Sequence, residues 1–95
     1  MPSYERTRRF ERDYEDLSAE QRKRFQTAFR RFDEDLAKGR FRASLRVKRV
    51  EGTDGIFEMT WASDGRATFA YGVTRGQGAH VIWRRIGTHK VFRRP

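Results

Sequence analysis

The sequence predicts an α+β fold in which an N-terminal helical hairpin packs on a twisted, mainly antiparallel four-stranded sheet. Three observations carry this. Apolar residues recur at helical spacing as far as Leu36, they alternate in steps of two from Leu45 onward, and Gly-bearing turns separate the alternating runs. With 95 residues the chain holds one domain spanning 1–95 with a thin core. Only 36% of its residues are hydrophobic, so that core must draw on aromatics, eight of them Phe.

The elements follow in order. Phe10, Tyr14 and Leu17 fall at i, i+4, i+7 and predict a short helix over residues 7–17, its charged residues turned to solvent. Ser18 opens a second helix: Ser18 to Gln21 reads as a capping box, Phe25, Ala28, Phe29, Phe32 and Leu36 follow at helical spacing, and Gly39 supplies the left-handed stop. The tight connection predicts an antiparallel hairpin whose aromatic stripes cover one face of the sheet. Residues 45–50 alternate apolar and basic, so Leu45 and Val47 share one face of a strand while Arg46 and Lys48 share the other. Residues 51–55 form a turn. Residues 56–62 and 66–71 are strands around Ser63, Asp64 and Gly65, a three-residue hairpin with Gly at the position that tolerates positive φ. Phe57, Met59 and Trp61 then share a buried face with Ala67, Phe69 and Tyr71. Residues 73–79 read as a Gly-containing loop, and residues 80–86 as the last strand. In that strand Ile82 and Ile86 compete with Val81 and Trp83 for the core, so alternation leaves open whether Trp83 and Arg85 share a face.

Composition narrows the function. The chain has no cysteine, which excludes a disulfide framework and a thiolate metal site and suits a reducing cytoplasm. No apolar run approaches the roughly 20 residues that span a bilayer, and residues 1–6 carry no signal-peptide core, so a cytoplasmic protein without membrane contact is expected. The net charge is +9, and its distribution is uneven: residues 1–38 carry ten Lys/Arg against nine Asp/Glu, residues 39–95 twelve against four. A field so one-sided concentrates polyanions such as RNA, DNA or an acidic protein segment.

The most informative stretch is Arg84, Arg85, Ile86, Gly87, Thr88, His89, Lys90 and Val91, followed by Phe92. It sets an imidazole, several cations and an aromatic ring where a strand ends, the groups that acid-base chemistry on a phosphodiester requires. The Arg85-x-Gly87-x-His89 pattern, the basic run at 45–50 and the strand pair at 55–61 and 66–71 resemble the RelE/ParE superfamily of bacterial toxins, most of all the RelE and YafQ type of messenger-RNA interferase. The similarity covers most of residues 7–92.

The resemblance implies a toxin of a type II toxin-antitoxin system: a cofactor-free, metal-independent endoribonuclease that cleaves messenger RNA on the ribosome and is held inactive by a cognate acidic antitoxin. His89 stands where YafQ-like members keep a catalytic histidine, a group able to exchange a proton near neutral pH. Arg85 matches the motif's arginine, whose guanidinium fork suits phosphate oxygens. Lys48 lies on the strand where RelE-like members place catalytic lysines, and Phe92 corresponds to an aromatic that stacks on a base. Arg46, Arg49, Arg84 and Lys90 complete the expected RNA-binding set. The family begins with a β-strand, whereas only residues 1–6 precede the first helix here, so that strand is expected to be missing or very short, leaving another strand exposed at the sheet edge. The second proton carrier is open, with Glu51, Glu58 and Lys48 as candidates. Taken without the motif, His89 reads as a residue closing the end of the sheet, Arg85 and Lys48 as outward strand residues, and Phe92 as a clamp for the tail. Two other functions stay open: a ParE-like gyrase inhibitor, and a degenerate non-toxic relative that binds nucleic acid or antitoxin.

Overall fold

In a computed structural model, which describes residues 2–73 and 78–95, the chain runs through β1 (Ser3–Arg6), α1 (Arg8–Glu15), α2 (Ala19–Lys38), β2 (Lys48–Arg49), β3 (Phe57–Ala62), β4 (Gly65–Tyr71) and β5 (His80–Gly87). Two short 3₁₀ segments, Ala43–Leu45 and His89–Arg93, precede β2 and follow β5. Both helices have the chemistry expected of them. Thr7 caps α1 by accepting from the Phe10 amide at 3.1 Å. Ser18 and Gln21 form the reciprocal capping box of α2, and Gly39 ends it at φ 77°. Helix α1 is one residue shorter at its start than the 7–17 span and two at its end. Beyond α2 the buried Asp35 carboxylate accepts from the amide and guanidinium of Arg42 at 2.8 to 2.9 Å, which holds its pKa down at about 2.

The sheet has five strands rather than four, in the order β1-β5-β4-β3-β2. Pairings from β2 through β5 are antiparallel, and β1 joins β5 in parallel, Ser3 opposite His80 and Arg6 opposite Trp83. The first strand is therefore present, four residues long, and it covers the edge of β5 that its loss would have exposed. Its supports are tertiary. Tyr4 packs edge-on against Phe29 with ring centres 4.9 Å apart and donates its hydroxyl to Asp33 at 2.5 Å. Burial, together with that carboxylate, raises the Tyr4 pKa. The buried His80 ring lies between Ser3 Oγ and Glu5 Oε1, 2.7 Å from each.

Strand β2 is shorter than the 45–50 alternation suggests. Leu45 enters the core from the 3₁₀ turn, Arg46 adopts φ 49°, and only Lys48 and Arg49 pair with β3. The β3–β4 turn has two residues, Ser63 and Asp64, with Ala62 opposite Gly65. Gly65 lacks the positive φ expected of it. It is needed for space: a β-carbon there would lie 2.6 Å from the Trp61 ring, which crosses its Cα. In the expected loop at 73–79, Gly76 lies outside the described residues.

The core lies between the helices and one face of the sheet. Phe32 is fully buried, its ring centre 5.0 Å from that of Trp83 and 5.1 Å from that of Phe69. Met59, Ala67 and Phe69 are fully buried as the alternation required, while Tyr71, placed with them, is 45% exposed at the end of β4. A bulge settles the ambiguous face of β5. Thr68 pairs with Arg85 but Phe69 pairs with Trp83, so Arg84 is an extra residue. Val81, Trp83 and Ile86 all reach the core, and neither arginine between them does.

Candidate active site

Two groups of polar side chains lie at and beyond the end of β5. The first centres on His89. Chain reversal after Gly87 starts the 3₁₀ segment, with Thr88 accepting from the Lys90 amide. It brings the His89 ring to the β3–β4 turn, where Nδ1 lies 2.8 Å from Asp64 Oδ1. Both side chains are exposed, so the pair can meet a large substrate. The hydrogen bond from His89, more than its charge, lowers the Asp64 pKa from its ordinary value. Phe92 stands edge-on to the imidazole with ring centres 5.5 Å apart. From Asp64 and Thr88 a groove of about 490 Å³ runs to the start of α2, where Gln21 and Arg24 line it.

The second group is a row across the sheet. Lys48 pairs with Glu58, Glu58 with Thr68, and Thr68 with Arg85, so the four side chains share one face. At roughly 4.8 Å per strand, the Lys48 and Arg85 backbones stand about 14 Å apart. Glu58 and Thr68 are buried and Lys48 is exposed. Arg85 is engaged within the protein: Nε donates to Asp13 Oδ2 at 2.6 Å, and Nη1 donates to the Arg94 carbonyl at 3.1 Å. The same Asp13 oxygen accepts from the Ile86 amide, so this carboxylate ties α1 to the bulged part of β5.

The expected site residues therefore separate. His89 and Phe92 come together, with Lys90 exposed on the same turn. Lys48 and Arg85 share a row but not a contact. Arg49 pairs with Phe57 and so faces away from Lys48, and Arg46 precedes the strand. Arg84 lies beside Arg85, its Nε donating to the main-chain oxygen of Pro95 at 3.2 Å.

No family model matches the chain, and no curated protein matches it. Solved structures do. YafQ from E. coli strain BL21(DE3) superposes with a TM-score of 0.69 at 11% identity, covering 96% of this chain and 97% of that one. A YoeB/ParE toxin from Agrobacterium tumefaciens gives 0.66 at 14%, covering 92% and 98%. The RelB-RelE antitoxin-toxin complex from Methanococcus jannaschii gives 0.61 at 16%, covering 93% of each chain. The chain has the RelE/ParE toxin fold.

In this RelE/ParE-like chain the residue that sequence reasoning missed is Asp64. It reads as an ordinary turn former, and its partner lies 25 positions away. Thr68 also carried no signal, since a strand threonine gives no hint of what will cover it. The His89 and Asp64 geometry is that of a proton carrier with an orienting carboxylate. With Nδ1–H donated to Asp64, Nε2 is the ring nitrogen left to exchange a proton. No helix among the described residues is long and apolar enough to cross a membrane.

Proposed function

We propose that this protein is the toxin of a toxin-antitoxin pair and acts in the cytoplasm as a metal-independent endoribonuclease on messenger RNA engaged by the ribosome. The observation that carries the reading is the exposed contact of His89 with Asp64, beside Phe92 and next to a groove that Asp64 and Thr88 line. His89 Nε2 takes the proton of a ribose 2′-hydroxyl, whose oxygen attacks the adjacent phosphorus as the bond to the 5′-oxygen breaks, leaving a 2′,3′-cyclic phosphate. Asp64 stabilises the imidazolium that forms. Phe92 offers a stacking face to a base. The leaving 5′-oxygen takes its proton from the His89 imidazolium through solvent water, guanidinium groups at the end of β5 balance charge on the phosphoryl oxygens, and Lys48, three strands from Arg85, offers a further cation to the RNA backbone. An acidic antitoxin is the expected partner of a chain with net charge +9, and the RelE of similar fold was solved as an antitoxin-toxin complex.

The test is induction of the wild type and His89→Ala in bacteria lacking an antitoxin, with messenger-RNA 5′ ends mapped within minutes. Cuts in translated frames should appear with the wild type and fall by about 10²- to 10⁴-fold in the variant, whose circular dichroism should be unchanged. Cuts that persist in His89→Ala would remove His89 from the chemistry. Growth arrest without cuts would move the target to gyrase or another protein.

A further inference from the structure

The last two residues fold back onto the face of the sheet that carries the Lys48 to Arg85 row. The main-chain oxygen of Pro95 accepts from Thr68 Oγ1 at 3.0 Å and from Arg84 Nε at 3.2 Å, and that of Arg94 accepts from Arg85 Nη1 at 3.1 Å. Thr68 is fully buried, and this hydroxyl donates to the tail. Arg9, Arg84, Arg85 and Arg94 together line a cavity of about 220 Å³ against Thr7 and Pro95. Asp13 pairs with Arg85, but among the described residues no Asp or Glu is within ion-pair distance of Arg9, Arg84 or Arg94.

Guanidinium groups gathered around a small cavity repel one another, and an anionic group held between them offsets this. A phosphodiester brings a full negative charge and paired oxygens that match the guanidinium fork. We propose that Thr68, Arg84 and Arg85 form a phosphodiester-binding cradle whose resident ligand is the chain's own tail, so that a nucleic-acid strand binds there by displacing residues 94–95. Naming RNA as that strand rests on the nuclease reading. The cradle itself rests on the donors that converge on the tail oxygens.

The experiment compares the full chain with a chain ending at Arg93. The probes are a 2′-O-methyl oligoribonucleotide, which cannot be cut, and inorganic phosphate followed by NMR. Removing residues 94–95 deletes one positive charge, which by itself weakens nucleic-acid binding. Freeing the cradle should instead tighten binding of the oligonucleotide roughly tenfold, and phosphate should shift the Thr68 amide and Arg84 Nε signals in the shortened chain. Thr68→Val or, should that variant fold poorly, Arg84→Gln in the shortened chain should cancel the gain. Equal or weaker binding by the shortened chain, with both signals unmoved, would overturn the proposal. So would a gain seen for an acidic peptide and not for the oligonucleotide, which would assign the cradle to a protein partner. A binding gain with no His89-dependent cuts in translated messenger RNA on induction would sustain the cradle and sink the nuclease reading.

Discussion

At the scale of single residues, the contact between His89 and Asp64 decides how this site can work. A lone exposed imidazole has two accessible tautomers and a free rotor. A carboxylate 2.8 Å from Nδ1 selects one tautomer and turns Nε2 outward. The lowered Asp64 pKa gives the contact a sign. A carboxylate whose folded pKa is depressed contributes its attraction above its ordinary titration range and loses it as pH falls through the folded value. In His89→Ala, Asp64 should therefore titrate higher, back toward the ordinary carboxylate range, as followed by carboxyl carbon-13 NMR. An Asp64 curve identical with and without His89 would mean that the two do not meet in solution. Arg85 teaches the complementary lesson. A guanidinium at the motif position is spent on Asp13 and a tail carbonyl, so its part in phosphate binding requires displacement of at least the tail.

Among the elements, β5 and the β3–β4 hairpin set where the polar groups stand. Strict alternation along β5 would send one of Arg84 and Arg85 toward the core. The bulge at Arg84 keeps both out and lets Ile86 in. The hairpin holds Asp64 at its tip because the Trp61 ring lies flat across Gly65. Gly65→Ala places a methyl group 2.6 Å from that ring, which must then move or force the turn open. We expect a loss of about 1–3 kcal/mol in denaturant unfolding. Full stability in this variant would show that the hairpin is loosely held. Strand β1 was the element hardest to foresee, since Tyr4 alone on it makes large apolar contacts and its hydrogen bonds go to residues about 75 positions later.

Taken as a whole, the molecule separates its two tasks by face. Aromatic rings from α1, α2 and the inner side of the sheet supply the core, while the second half of the chain, which holds nearly all the excess charge, supplies the outer row and the tail. Phe32 sits at the centre of that core, against Phe29, Phe41, Phe69 and Trp83. Phe32→Ala should cost about 3–5 kcal/mol, a large share of the stability of a domain this small. Chemical denaturation measures it. A loss below about 1 kcal/mol would mean that the aromatic layer repacks freely and does not fix the helices against the sheet.

The helices, their caps, the three long strands and the basic second half were legible in the chain because each rests on neighbours within a few turns of helix or one hairpin. His89 and Phe92 stand three positions apart, and it is the 3₁₀ turn that brings their rings together. What only the tertiary structure decided is the partner of every site residue: Asp64 for His89, Asp13 for Arg85, the tail for Thr68 and Arg84, and β5 for β1. These contacts join residues roughly 10 to 80 positions apart. A one-residue bulge decides several of them. Spacing along a sequence reports which face a residue takes within its own element, and a bulge or a returning tail changes that face without any local mark.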